Sequence, residues 1–403
     1  MNSAPKMPRL QQPPDVRSHR TKRYLWLLVP VSLLASVIVW RLWPMEQQPL
    51  RAGIVASAAA PDSSGFTSAS GPKALAFPAD HGPHDDFQTE WWYYTGNLAA
   101  ETGEHFGYQL TFFRRALLPP SKRAQRASAW GTEQVYMAHF ALTDVAASKH
   151  SGFERLSRGA AGLAGALAEP YKVWLEDWSV TGPPGGAGQL RASDGGITLS
   201  LKLSDLKGPV LQGDRGYSRK GPEQGNASYY YSLPRIATEG TVEAGGRKYE
   251  VQGLSWMDHE FSTSALGPGQ VGWDWFSLQL DDGSELMVFQ LRDVGGGADQ
   301  FSAGTLIAPD GTARRLGPSD FSIRPTSEWR SPHTRAVYPA GWVVTVPGEG
   351  LSLTVNPYLA DQEMNQSFTY WEGAVKATGT VEGKAVAGSG YTELTGYAGT
   401  LSF

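Results

Sequence analysis

Apolar and polar residues alternate one by one along most of this chain, the period of strands rather than of helices. From His105 to Phe113, the residues Phe106, Tyr108, Leu110 and Phe112 alternate with His105, Gln109 and Thr111. Ile197, Leu199, Leu201 and Leu203 alternate in the same way with Thr198, Ser200 and Lys202. Asp281-Asp282-Gly283 separates Trp273–Leu280 from Glu285–Leu291, which predicts a hairpin. Comparable turns are predicted at Gly245-Gly246, Asp310-Gly311, Gly348-Glu349-Gly350 and Glu382-Gly383. Only Ala160–Glu169 reads as a helix, and its two glycines weaken it. Antiparallel strands with regular turns close into barrels or sandwiches, so an all-β body is expected.

The amino-terminal end breaks this pattern. Lys6, Arg9, Arg17, Arg20, Lys22 and Arg23 form a basic leader over residues 1–23 with one acid, Asp15. An uncharged apolar run follows from Tyr24 to Trp40, at the short end of the ~17–25 residues that span a bilayer. Tyr24, Trp26, Trp40 and Trp43 bracket it, as aromatic side chains do at headgroup level. Residues 24–43 are therefore expected to be a single transmembrane helix in the inner membrane, with the amino terminus cytoplasmic and the body periplasmic. A cleaved signal peptide is the alternative, with Ala56-Ser57-Ala58-Ala59-Ala60 as small residues near a cut site and a secreted product. Residues 44–72, rich in Ala, Ser, Gly and Pro, read as a flexible linker.

Composition narrows the function. Net charge is −4, and past residue 23 the basic stretch Lys122–Arg126 is short, so nucleic acid is not an expected partner. With no Cys, a disulfide, a lipid-modified cysteine and a thiolate metal site are excluded. No phosphate-binding glycine loop, nucleophile elbow or His-Glu-x-x-His helix is present, which argues against nucleotide enzymes, α/β-hydrolases and zincins.

Two segments place acids and histidines among large aromatics. One runs from Phe77-Pro-Ala-Asp-His-Gly-Pro-His84 into Thr89-Glu-Trp-Trp-Tyr-Tyr-Thr-Gly96. The other is Trp256-Met-Asp-His-Glu-Phe261 followed by Trp273-Asp-Trp-Phe276. A carboxylate in apolar surroundings must be paired, or protonated with a raised pKa, which is how a general acid is obtained near neutral pH. In a regular strand Asp274 shares its face with Phe276, Leu278 and Leu280, opposite Trp273, Trp275, Ser277 and Gln279, and points into a barrel interior. Two readings are open for it: a catalytic acid, or a structural partner of a Trp N–H, an Arg or His259. Glu90 divides the same way between catalysis and a structural salt bridge. Asp258 and Glu260 face away from His259 in a strand, so the three do not share one ion, and no metal is expected. The density of rings beside these acids favours a ligand cavity over simple core packing.

At these residues the chain resembles the carotenoid 1,2-hydratase (CrtC)/AttH-like family. The matching stretches are Phe77–His84, Thr89–Gly96, Trp256–Glu260, Trp273–Gly283, Tyr370-Trp-Glu-Gly373 and Gly390-Tyr-Thr-Glu-Leu-Thr-Gly-Tyr397. The resemblance implies two tandem lipocalin-like (calycin-type) β-barrels, an N-terminal one over residues 73–262 and a second over 263–403. The carotenoid branch of the family adds water across a terminal isoprenoid double bond. Where that branch carries Trp two places after the histidine, this chain has Phe261, which with the apolar leader suits the AttH-like branch of exported proteins.

The leading expectation is an exported lipocalin-like protein that binds a large apolar lipid or isoprenoid, as accessory to an ABC-type export system. The alternative is a cofactor-free hydro-lyase that hydrates an isoprenoid C=C by acid catalysis. A secreted hydrolase is a third reading. For the enzyme, Asp274 or Asp258 is the expected acid and His259 its partner, with Glu90 a further catalytic candidate. Trp91, Trp92, Tyr93, Trp256, Trp273, Trp275 and Glu260 are the expected ligand contacts.

Overall fold

A computed structural model of the protein describes residues 63–399 apart from 124–127, 183 and 265. The basic leader, the apolar run 24–43 and most of the linker lie outside the described residues. Among those described, no helix is long and apolar enough to cross a membrane.

The body is built of strands, with three short 3-10 turns. The first sheet opens with four strands joined as hairpins: β1 (Thr89–Ala100), β2 (His105–Ala116), β3 (Gln134–Asp144) and β4 (Lys149–Arg158). Five follow along its other wing: β5 (Ala164–Leu167), β6 (Lys172–Leu175), β7 (Trp178–Thr181), β8 (Ala187–Asp194) and β9 (Ile197–Asp205). The short β10 (Val210–Leu211) and β11 (Tyr217–Arg219) pair with the long β12 (Ala227–Ala244), which turns at Gly245-Gly246 into β13 (Arg247–Ser262). The hydrogen-bonded order is β4-β3-β2-β1-β13-β12-β9-β8-β7-β6-β5.

The second sheet begins with β14 (Gln270–Leu280), β15 (Glu285–Asp293), β16 (Ala303–Ile307) and β17 (Ala313–Leu316). It continues with β18 (Ser322–Arg330), β19 (Val337–Val346), β20 (Leu351–Pro357) and the short β21 (Glu363–Asn365). It closes with β22 (Thr369–Val381) and β23 (Lys384–Leu394). Its order is β17-β16-β15-β14-β23-β22-β20-β19-β18, with β21 beside β22. Both sheets curl around a core of their own, and each hydrogen-bonded order runs open from edge to edge among the described residues. The predicted barrels are thus two curled, near-barrel sheets.

The five predicted hairpins form at the predicted turns. The predicted helix does not. Ala160–Glu169 instead makes a turn at Gly162 (φ 73°) followed by β5, whose backbone is taken up by pairing with β6. With two glycines in ten residues, the helix has too little propensity to compete with that pairing.

In the first sheet, β1, β12 and β13 lie side by side, and all three are buried on both faces at one end. Their inner residues, among them Trp92, Tyr94, Tyr231, Leu233 and Met257, join the core of the first sheet. Their outer residues Tyr93, Tyr230 and Trp256 pack with Trp275, Phe289 and Tyr391 of the second sheet in a separate cluster. Gly253 lets β13 approach β1: a Cβ there would stand 2.0 Å from the Asn97 carbonyl oxygen.

Candidate active site

The two sheets enclose between them a cavity of about 240 Å³. Trp91 and Tyr93 of β1 line one wall, Trp273 and Trp275 of β14 another, with Phe289 and Phe368 adding apolar surface. Asp258, Glu260 and Glu393 are the acids on that lining, apart from Glu90 at its edge. The register explains how they meet. Tyr93 stands opposite Asp258 and Trp91 opposite Glu260 across β1 and β13, while Ser232 and Tyr230 stand opposite the same two acids on β12.

Each acid has its own surroundings. Asp258 accepts from Ser232 Oγ (2.5 Å), Trp256 Nε1 (2.7 Å) and Tyr230 Oη (2.6 Å). Burial pushes its carboxyl up to about 7 against these three donors. Tyr230 in turn accepts from Trp275 Nε1 at 3.2 Å, tying Asp258 to the second sheet. Among the described residues Glu393 accepts from Trp273 Nε1 alone, at 3.0 Å, and burial with the nearby Asp258 and Glu260 pushes it up to about 8. Glu260 pairs with Lys220 Nζ at 3.2 Å and accepts from Ser228 Oγ. The Lys220 ammonium also sits 4.2 Å from the centre of the Phe289 ring and 5.4 Å from that of Tyr230.

The opposite face of the same strands carries a second polar network. Glu90 accepts from His84 Nδ1 (2.7 Å), His259 Nε2 (2.8 Å) and Arg114 Nε (2.8 Å), and from the His84 backbone N–H. Burial alone would raise its carboxyl, but Arg114, His259 and His84 together hold it well below the usual range. His259 Nδ1 meets Tyr231 Oη at 3.0 Å, which meets His81 Nδ1 at 2.7 Å, and the His259 ring stacks on Trp92. The ligating atoms of His84, Glu90 and His259 lie within 4.8 Å of one another, close enough in principle for a metal ion. The donor set fits a hydrogen-bond network better: both Glu90 oxygens are already engaged, and the Arg114 guanidinium supplies the balancing charge. Phe261, the departure from the hydratase pattern, stacks on His84 with ring centres 3.5 Å apart and faces this network.

The predicted residues therefore divide in two. Asp258, Glu260, Trp91, Tyr93, Trp273 and Trp275 share the cavity, and Trp256 lies beneath it as a donor to Asp258. His259 and Trp92 face away from it, and Glu90 belongs to the His84–His259 network at its edge. Asp274 also faces away, into the second sheet, where it accepts from Arg292 Nε at 3.0 Å and from Tyr397 Oη at 3.1 Å. Burial pushes its carboxyl up to about 6 against Arg292 and Tyr397. This is the structural pairing with an arginine. The expected interior position of Asp274 is found, but the interior of a sheet is not where the cavity lies.

Sequence reasoning passed over Glu393 and Glu372. Glu372 is fully buried next to the cavity and accepts from Tyr93 Oη at 2.5 Å. Both belong to stretches that carried the family resemblance, Tyr370-Trp-Glu-Gly373 and Gly390–Tyr397. An acid one or two places after an aromatic in a strand was the available signal.

Residues 68–397 match the sequence profile of the AttH-like family. A crystal structure of a candidate AttH from Nitrosomonas europaea is 37% identical, with a TM-score of 0.73, covering 82% of this chain and all of that one. Kievitone hydratase from Fusarium solani subsp. phaseoli is 26% identical over 212 residues, which are 50% of this chain and 58% of that protein. The crystal structure of kievitone hydratase from Nectria haematococca shares the fold at 16% identity, with a TM-score of 0.62 over 84% of this chain.

Proposed function

The chain belongs to the AttH-like family, and from that premise we propose that it is a hydratase-like enzyme, adding water to an isoprenoid C=C held between its two sheets. One observation carries the proposal: two carboxyls with opposite hydrogen-bond surroundings, Glu393 and Asp258, face one aromatic-lined cavity. Glu393, with a single donor among the described residues, is suited to hold a proton at neutral pH and give it to the alkene. Asp258, with three donors aimed at it, is suited to be the carboxylate. Protonation of a trisubstituted alkene by Glu393 leaves a tertiary cation. The faces of Trp273, Trp275 and Tyr93 would stabilise that cation by roughly 2 kcal/mol or more each when desolvated. Water attacks the cation, Asp258 accepts the proton it sheds, and that proton returns to Glu393 for the next cycle. The sum is alkene plus water giving a tertiary alcohol, and no cofactor takes part in these steps. A hydratase among the relatives supports the reaction class.

This assignment moves the acid from Asp274 to Glu393 and leaves His259 as support for β13 rather than as proton partner. Glu90 acts through the His84–His259 network, and Trp91 and Glu260 frame the bound molecule.

Binding without turnover is the second reading, favoured by the largely apolar lining of the cavity. In it the cavity receives a lipid from an ABC-type permease and holds it unchanged. Either role suits a body tethered by residues 24–43 at the outer face of the inner membrane. The test is incubation of the purified full chain with candidate isoprenoids. A product heavier by one water, lost at least 100-fold in E393Q, supports the enzyme. Lipid that co-purifies unchanged, with no hydrated product, supports the carrier.

A further inference from the structure

Glu372 and Glu393 occupy directly opposite positions on β22 and β23 and project from the same face of the second sheet. Side chains so placed have Cβ atoms roughly 4.5–5.5 Å apart. Glu393 opens part-way into the cavity, while Glu372 is fully buried behind Tyr93. Tyr93 Oη donates to Glu372 Oε1, and Glu372 Oε2, equally buried, has no hydrogen-bond partner among the described residues. No ion pair reaches either carboxyl among the described residues; the cation Lys220 is engaged with Glu260. A buried carboxylate oxygen with no donor is costly, and the cost is removed if that oxygen carries a proton.

We propose that Glu372 is a positioning residue for Glu393: the two form a carboxyl pair in which the Glu372 proton is shared with Glu393 once Glu393 has given up its own. The proposal rests on the assignment of Glu393 as the acid. In proton terms, the resting pair holds two protons. One leaves from Glu393 to the substrate carbon. The one that remains lies between the carboxyls and stabilises the anion, and the pair regains its second from the attacking water by way of Asp258. Tyr93 fixes the geometry, since its donation to Oε1 leaves Oε2 as the oxygen that carries the proton. Burial, followed by the charge of Glu393, pushes the Glu372 carboxyl well above the usual range against the Tyr93 donor.

The other titratable groups around the pair are Tyr93 from β1, Tyr370 and Tyr391 from the pair's own strands, and Asp258 and Glu260 from β13. His139 of β3 is one step further, bonded to Tyr370 Oη at 2.7 Å. Asp258 and Glu260 push the Glu393 carboxyl up against the Trp273 donor, and Tyr93 opposes the rise of Glu372 by donating to it; burial outweighs both donors, and the pair is the place where a proton is retained.

The experiment is an infrared titration of the protonated carboxyl bands in the full chain without substrate, comparing wild type with E393Q, E372Q and Y93F. Beside the carboxyl ionisations that all four proteins share, those of Asp258 and Asp274 among them, two further ionisations at high pH are expected in the wild type and one in each glutamine variant. In E393Q the Glu372 ionisation should move to lower pH by at least one unit, because the neighbouring charge is gone. In Y93F it should move up. An unshifted Glu372 ionisation in E393Q overturns the pairing. E372Q should also lower kcat about tenfold with KM little changed and move the alkaline limb of the pH–rate profile upward. A merely structural Glu372 would leave that limb in place. Coupled carboxyls in a protein that hydrates no isoprenoid would refute the proposed reaction and leave the pair standing. Hydration with uncoupled carboxyls would refute the pair alone.

Discussion

Replacing Glu393 by glutamine should stabilise the fold at alkaline pH while it removes activity. An ordinary glutamic acid side chain ionises near 4.5 and Glu393 near 8. A group whose pKa is raised on folding contributes stability that is fully present below the unfolded value and is lost as pH rises through the folded one. Each pH unit between the two is worth about 1.4 kcal/mol, which sets an upper bound of about 5 kcal/mol lost by pH 9. Glu393 opens to the cavity, and solvent there screens part of this. About 2–3 kcal/mol is therefore expected. Glutamine keeps the acceptor for Trp273 Nε1 and has no charge to desolvate. Denaturant unfolding of both full-length proteins at pH 5 and pH 9 measures the difference. E393Q should gain about 2–3 kcal/mol over wild type at pH 9 and show little gain at pH 5. Equal stability differences at the two pH values would refute the reasoning, because they would mean that the Glu393 carboxyl costs nothing to ionise in place. The expected pattern is that of an active site whose working group is held at a cost in stability.

Further predictions test the remaining geometry. The rate of hydration should rise as Asp258 ionises near 7 and fall as Glu393 ionises near 8, giving a narrow bell with its maximum between them in kcat/KM against pH. D274N should destabilise the fold by about 2–3 kcal/mol by leaving Arg292 part-buried without its anion, with turnover per folded molecule unchanged. A more than tenfold loss of turnover in a fully stable D274N would return Asp274 to the catalytic list. H259A should cost about 2–4 kcal/mol in unfolding free energy by stripping a donor from the buried Glu90. G253A should cost at least about 2 kcal/mol, since its Cβ meets the Asn97 carbonyl and separates β13 from β1.

Much of this fold was legible in the sequence because strand alternation and glycine turns are local signals. The turn at Asp281-Asp282-Gly283 and the phase of β14 follow from residues within one hairpin. Phase put Asp274 with Phe276 and Leu278, and the structure agrees. What phase does not contain is which face looks toward the other sheet. In β14 both faces are buried, one in the sheet's own core and one against β12, so the usual equation of "interior" with "site" fails. For the same reason Asp258 and His259, adjacent in sequence, belong to different networks. Glu393 and Glu372 escaped notice because their importance depends on a cross-strand register between residues 21 positions apart. Ala160–Glu169 was misread because short strands at a sheet edge carry few residues from which a period can be counted.

The two-faced burial of β13 has a consequence for the kinds of change this protein tolerates. Trp256, Asp258 and Glu260 serve the cavity, and Met257, His259 and Phe261 serve the core and the Glu90 network. Insertion or deletion of one residue before Trp256 would exchange the two sets, setting an imidazole in the cavity and a carboxylate against the first core. Substitutions along this strand alter one network at a time, whereas a frame change alters both at once. Natural variation in length should therefore collect at the hairpin Gly245-Gly246 and in the crossing from Ser262 to Gln270, leaving the span between them fixed in count.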